Sequence, residues 1–236
     1  TRLRKWMQNL EMKKYHELYD YLQSNPHDLM LLADAITTNV TSFFREKNQW
    51  VYLKSYLPRY NESKHLRIWS AACSSGQEPY SISMFLNDLF PNFSSWNFKL
   101  LATDLSKEIL QKAITGEYRE KDLEGVSKQH RSKYFTPLKK PEKCYVIKDF
   151  LKENILFRQF NLVTGNYHLF KNQFDIIFCR NVMIYFDQPT QDKVTTNLIR
   201  LLKPGGLLLI GHSESITNRN SNIQAVSPAV YIKKGI

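Results

Sequence analysis

The sequence predicts an α/β protein: a mostly parallel sheet covered by helices, preceded by a small all-α domain and carrying a small antiparallel β insertion. Three observations predict it. From Leu66 to Lys233, strand-sized apolar runs alternate with helical patterns, as a parallel sheet with crossover helices requires. Residues 1–36 show helical spacing throughout. Residues 116–160 break the alternation, with strand-like runs at Lys143–Lys148 and Ile155–Phe160 and no full crossover helix between them. The boundaries read as 1–65 for the helical domain and linker and 66–236 for the α/β domain, with the insertion at about 116–160.

Each element follows from local chemistry. Leu3, Met7 and Leu10, then Tyr15, Leu18, Tyr21 and Leu22, recur near helical spacing. The first helix is expected to carry Arg2, Arg4, Lys5, Lys13 and Lys14; Asn25-Pro26 ends the pattern, and Asp28 to Ile36 reads as a second short helix. Thr37 to Glu46 holds too many β-branched and capping residues for a helix interior. It reads as a loop entering a helix that buries Trp50, Leu53 and Leu57. Strands are then expected at Leu66–Ala71, Phe98–Thr103, Phe174–Cys179, Leu207–Gly211 and Ala229–Lys233. Helices are expected at Glu78–Phe90, Lys107–Thr115 and Thr190–Leu202, the last closed by Lys203-Pro204-Gly205-Gly206.

Composition bounds the function. An apolar fraction of 42% over 236 residues supports a packed core. No apolar run approaches the ~20 residues of a membrane span, and the basic opening residues lead into no apolar signal core. Thr1 in place of a methionine leaves native termini and fused domains open. Cys73, Cys144 and Cys179 show no metal-ligand spacing, which fits packing residues in a reducing cytoplasm and no metal site. The net charge of +11 attracts acidic partners; nucleic acid, anionic lipid and a glutamate-rich protein all qualify.

The most informative stretch is Trp69-Ser70-Ala71-Ala72-Cys73-Ser74-Ser75-Gly76-Gln77-Glu78-Pro79. A strand, a tight turn of small residues and a helix start let a ligand approach the backbone and the helix N–H groups. The single Gly76 falls short of the fingerprint that packs a pyrophosphate, which weighs against a nicotinamide oxidoreductase and toward a ligand without phosphates. Asp104, after the second strand, is placed to accept from ribose hydroxyls if Ser106 takes the neighbouring helix cap. Arg180 and Asn181 follow the strand Phe174–Cys179, where open α/β sheets bind ligands, and Tyr185 stands on the next turn. Arg45, beside Phe43 and Phe44, is suited to a carboxylate.

Together these stretches resemble one family. Thr38-Asn39-x-Thr41-x-Phe43-Phe44-Arg45-Glu46, the loop at 69–81, Ala102-Thr103-Asp104, Gly116-x-Tyr118, Phe160-Asn161-Leu162, Cys179 to Phe186, Leu202 to Gly206 and Gly211-His212-Ser213-Glu214-Ser215 occur in order. The order is similar to that of the chemotaxis receptor glutamate O-methyltransferases, the CheR-like family. The resemblance implies a Rossmann-like class I methyltransferase sheet. It also implies S-adenosylmethionine as cofactor, S-adenosylhomocysteine as product, and glutamate methyl esters on receptor cytoplasmic helices in sensory adaptation. By resemblance Asn39, Thr41, Arg45, Glu78, Asp104, Asn161, Leu162, Arg180 and Asn181 face the cofactor. Asp104 takes the ribose, Asn161 and Leu162 flank the adenine, and Arg45 and Tyr185 border the reacting methyl.

Departures from the family pattern are Ala72 and Gln77, where glycine and glutamate are frequent, and a Thr136–Lys143 stretch without glycine. The latter weighs against binding of a receptor tethering peptide. Receptor docking is expected through the basic N-terminal helix. The alternative is a non-catalytic scaffold that binds S-adenosylmethionine or docks to the receptor. Nucleic-acid methylation is disfavoured, because Arg180-Asn181-Val182-Met183 stands where amino-methylating enzymes carry a Pro-Pro-aromatic motif and no Pro-Cys dipeptide occurs.

Overall fold

A computed structural model describes residues 2–25, 28, 32, 40–216 and 222–235. The chain divides into two compact units, Thr1–Val40 and Thr41–Ile236. Most of the expected helix at 28–36, and Asn39, lie outside the described residues.

In the first unit, α1 (Arg2–Asn9) and α2 (Tyr15–Ser24) bury Met7, Leu18 and Leu22 together. The first helix does not run on through Lys13 and Lys14. Glu11 turns left-handed at φ 57°, and Met12 N–H closes back on Met7 O at 2.8 Å. The Glu17 carboxylate then accepts the N–H groups of Lys13 (2.8 Å) and Lys14 (3.0 Å), satisfying donors that a helix start leaves open. A local carboxylate thus prevails over the continuous apolar period.

The second unit opens with α3 (Lys47–Tyr56), β1 (His65–Ser70), α4 (Gln77–Leu89), β2 (Asn97–Asp104) and α5 (Lys107–Thr115). The insertion follows as β3 (Glu117–Arg119), α6 (Lys128–Tyr134), β4 (Phe135–Leu138) and β5 (Cys144–Ile147), its strands paired antiparallel in the order β3-β5-β4. The chain closes with β6 (Ile155–Gln159), β7 (Phe174–Cys179), α7 (Gln188–Leu201), β8 (Leu202–Ile210), β9 (Ile223–Ser227) and β10 (Val230–Lys233). The main sheet has the order β6-β2-β1-β7-β8-β10-β9. It is parallel except at β10, which runs antiparallel to β8 and β9.

Two strands depart from expectation. Ile155–Gln159 does not belong with the inserted sheet but pairs parallel with β2, because Ile155 and Phe157 pack against Cys73, Ala102 and Leu110. β9 was not anticipated: most of its side chains are exposed or half-exposed, so it carries no buried apolar pattern. Lys203 to Gly206 fall inside β8, where its register against β7 shifts.

Alternation along β1 separates two cores. Leu66 and Ile68 face α3 and α4, meeting Trp50, Leu53, Ile82 and Leu86. Trp69 faces the other way, in the cluster that holds Val194 and Leu198 of α7. With helices on both faces, the ligand-accessible region is at the C-terminal ends of the strands. Among the described residues no helix is long and apolar enough to cross a membrane.

Candidate active site

The loop after β1 is shaped by backbone geometry. Ser74 and Gly76 adopt positive φ, 49° and 96°. Ala71 N–H donates to Phe178 O at 2.8 Å and Cys73 N–H to Thr103 O at 2.9 Å, stitching the loop to β7 and β2. A Cβ on Gly76 would lie 2.9 Å from Tyr118 Oη and 3.0 Å from Ala113 Cβ. Tyr118 Oη donates to Ser75 O at 2.7 Å, so the inserted sheet buttresses the loop from behind. That contact gives the Gly116-x-Tyr118 motif its structural reason.

Asp104 ends β2 beside this loop. Its Oδ2 accepts Ser74 N–H at 2.8 Å and its Oδ1 accepts Ser106 N–H at 3.1 Å. Ser106 Oγ caps α5 through Ile109 N–H at 3.2 Å, so the cap role falls to Ser106, as expected. Phe160 N–H donates to Asp104 O at 3.0 Å, which brings the start of the Asn161–Leu162 segment to the same strand end. Asn161 Oδ1 accepts from Val163 N–H (2.8 Å) and Thr164 N–H (3.2 Å), folding the turn on itself. Leu162 is buried in the Trp69 cluster.

The floor of the crevice is an ionic cluster. Arg180 is buried, and its three side-chain nitrogens point at protein acceptors. Nε reaches Glu46 Oε2 (3.2 Å), Nη1 reaches Glu78 Oε2 (3.3 Å) and Nη2 reaches Arg45 O (2.7 Å). Ser70 Oγ donates to Glu78 Oε1 at 2.7 Å. Burial raises the Glu78 carboxyl above its ordinary range; the Arg180 guanidinium, the Ser70 hydroxyl and the Arg45 charge pull it back only in part. Glu46, left-handed at φ 61°, also accepts from Asn181 Nδ2 (3.3 Å) and His212 N–H (3.1 Å) through Oε1.

Glu214 does the same for the loop after β7. Its Oε2 accepts Asn181 N–H (2.9 Å) and Gly211 N–H (2.6 Å), and its Oε1 accepts Met183 N–H (2.8 Å). A Cβ on Gly211 would lie 2.6 Å from Asn181 Nδ2, so only glycine permits this approach. Tyr185 ends the short turn Met183–Tyr185 and is 49% exposed.

The structure therefore gathers Arg45, Glu78, Arg180 and Asn181 around one cluster and sets Asp104 and Asn161 at the neighbouring strand end. Thr41 is half-buried in the segment leading to Arg45; Asn39 lies outside the described residues. Glu46 and Glu214 were missed as functional residues, although both stand inside quoted motifs. Among the described residues no group of three His, Cys, Asp or Glu side chains is placed to hold a metal.

Comparison with known proteins adds an independent observation. The family model described as CheR methyltransferase, SAM binding domain, matches residues 39–232. A probable chemotaxis protein methyltransferase of Rhizobium etli is 38% identical over 232 residues, covering 94% of this chain and 85% of that protein. The chemotaxis protein methyltransferase of Borreliella burgdorferi is 37% identical, with coverages of 94% and 80%. That of Escherichia coli strain K12 is 36% identical, with coverages of 98% and 80%.

Proposed function

This chain belongs to the CheR family of S-adenosylmethionine-dependent chemotaxis methyltransferases, and on that premise we propose that its substrates are glutamate side chains on the cytoplasmic helices of a chemotaxis receptor. The products are glutamate methyl esters and S-adenosylhomocysteine, and the protein works in the cytoplasm. The observation that carries this reading is the Ser74–Asp104 hydrogen bond, which sets a carboxylate and a left-handed, small-residue loop side by side at the ends of β1 and β2.

The residues fit an adenosine-bearing cofactor. Ser74 Oγ is buried with no protein partner, the kind of orphaned group a ligand satisfies. S-adenosylmethionine, when bound, supplies an electrophilic methyl on a sulfonium. Asp104 retains acceptor capacity for ribose hydroxyls beside its two N–H partners. Arg45 anchors the cofactor carboxylate; a cation clamped on the attacking glutamate would instead weaken its nucleophilicity. Arg180 fixes Arg45 by holding its carbonyl, and fixes Glu78 by pairing its charge. Tyr185 borders the reacting centre and orients the incoming side chain.

The substrate glutamate, with a reference pKa of ~4.3, is ionised at neutral pH and needs no general base. The protein's task is to align the oxygen and carbon at ~3–3.5 Å and to exclude water. Docking falls to the basic α1, where Arg4 and Lys5 are exposed, and not to a tether held by the glycine-free hairpin between β4 and β5.

The test is transfer of labelled methyl from S-adenosylmethionine to a receptor cytoplasmic fragment, followed by mild base. Base-labile label on the fragment is expected. No transfer while S-adenosylhomocysteine still binds would leave a sensing scaffold; no binding would remove the cofactor assignment.

A further inference from the structure

The Trp69 face of the sheet is covered unevenly. Over β7 and β8 it meets α7, with Val194 and Leu198 against Ile177 and Leu208. Over β1, β2 and β6 the connection from β6 to β7 supplies only the short turn Tyr167–Leu169. Alternation puts Arg67, Lys99, Leu101 and Leu156 on this face, with Arg67 in register with Lys99 and Leu101 with Leu156. The result is a cavity of about 380 Å³ whose lining includes Arg67, Lys99, Leu156, Leu169, Phe170 and Lys171. That volume lies within the ~300–1,000 Å³ of small-molecule sites.

Its chemistry is divided. Leu169 is 72% exposed and Leu156 48%, so large apolar side chains stand open to solvent beside Phe170. Arg67, Lys99 and Lys171 supply three cations, none in an ion pair among the described residues. Arg67 Nε is buried without a hydrogen-bond partner, and an unsatisfied buried donor of this kind is costly. Asp175 does not answer the Arg67 side chain: its Oδ2 accepts the Arg67 backbone N–H (2.8 Å) and its Oδ1 holds Lys203 Nζ (2.7 Å).

Three cationic residues lining one cavity suit an anion of more than one charge, and a guanidinium fork suits the oxygens of a phosphate. A phosphomonoester carries about −1.5 to −2 charge at neutral pH. The apolar wall calls for a ring or chain attached to it. We infer that this groove binds a small organic phosphate with an apolar ring, at a site separate from the crevice that holds Asp104. Lys99 and Asp104 share β2, and five residues of strand place them roughly 16 Å apart.

The probes are phenyl phosphate, 5′-AMP and inorganic phosphate, titrated calorimetrically into the full chain with S-adenosylhomocysteine in excess to keep them out of the crevice. Saturable one-site binding of phenyl phosphate or 5′-AMP at millimolar concentration or below is expected, with inorganic phosphate weaker. The exposed pair Lys99→Glu and Lys171→Glu should weaken it about tenfold or more, and Leu169→Ser on the rim should weaken it without changing the charge of the site. Circular dichroism checks that each variant is folded. Absence of saturable binding, or equal affinity in the folded double variant, would overturn the assignment. No methyl transfer enters the readout, so its failure is separate from failure of the proposed activity.

Discussion

At the C-terminal ends of β1 and β7, Arg180 is answered by Glu46 and Glu78, and Glu214 is answered by backbone N–H groups. At the N-terminal halves of β1 and β2, Arg67, Lys99 and Lys171 line a cavity with no carboxylate paired to them among the described residues. Both regions lie on one sheet and share β1, and the difference separates two uses of charge. A neutralised, hydrogen-bonded cluster fixes backbone geometry, and removing one member strands the others in a low-dielectric interior. The exposed, unpaired Lys99 and Lys171 fix nothing, so exchanging them leaves the fold intact and changes only what is attracted.

The largest effect should come from Arg180→Met. It leaves Glu46 and Glu78 facing each other without their guanidinium, and breaking such a buried pair costs about 3–5 kcal/mol. Denaturant unfolding should register that loss, with S-adenosylhomocysteine affinity falling alongside; an unchanged midpoint would mean the cluster is relaxed in solution. Arg45→Ala comes next, with an expected fall in methyl transfer of about tenfold or more and little change in the unfolding midpoint. Near-normal turnover would remove Arg45 from the site.

Glu214→Gln probes positioning. The amide replaces one oxygen that accepts backbone N–H groups, and hydrogen bonds to a charged acceptor are worth about 1.5–3 kcal/mol. The rate should drop while S-adenosylhomocysteine affinity stays close to native, because the displaced loop carries Tyr185; a parallel loss of both would make Glu214 a general stabiliser. Gly76→Ala should cost about 1–2 kcal/mol for its left-handed backbone, read from the unfolding midpoint, with the new methyl also crowded by Tyr118 Oη at 2.9 Å and Ala113 Cβ at 3.0 Å.

The smallest effect is a pH dependence. The Glu78 carboxyl is raised by burial above the ordinary 4.5, so the folded state holds its proton more tightly than the unfolded chain. Stability therefore falls as pH rises from the unfolded value toward the raised one, and levels off above it. Glu78→Gln should lack that fall when unfolding is followed across about pH 4 to 7.

The centre of the sheet was readable because its strands are buried on both faces: Phe174–Cys179 is apolar apart from Asp175, and all of it is buried. Asp104 was readable because its position after a strand and before a capping serine is a local signal. Glu46 and Glu214 were not, because most of their partners lie on distant segments, Arg180, Asn181 and His212 for Glu46 and Asn181 and Met183 for Glu214, and no spacing along the chain announces which donor a carboxylate will meet. Ile155–Gln159 was assigned to the wrong sheet for a related reason. A short strand states its alternation but not its neighbour. The basic groove was invisible as well, since it exists only because a connection that could have held a helix holds one turn.

The Arg180–Arg45 bond, the Glu46–His212 bond and the Gln49 Nε2–Ile210 O bond join residues 135, 166 and 161 positions apart. Contacts of such sequence separation form slowly, because the loop must close before the contact rewards it. The Ser74–Asp104 bond joins residues only 30 positions apart and is available early. A chain emerging from the ribosome can therefore join the Ser74 loop to Asp104 long before β8 arrives and the His212 N–H reaches Glu46.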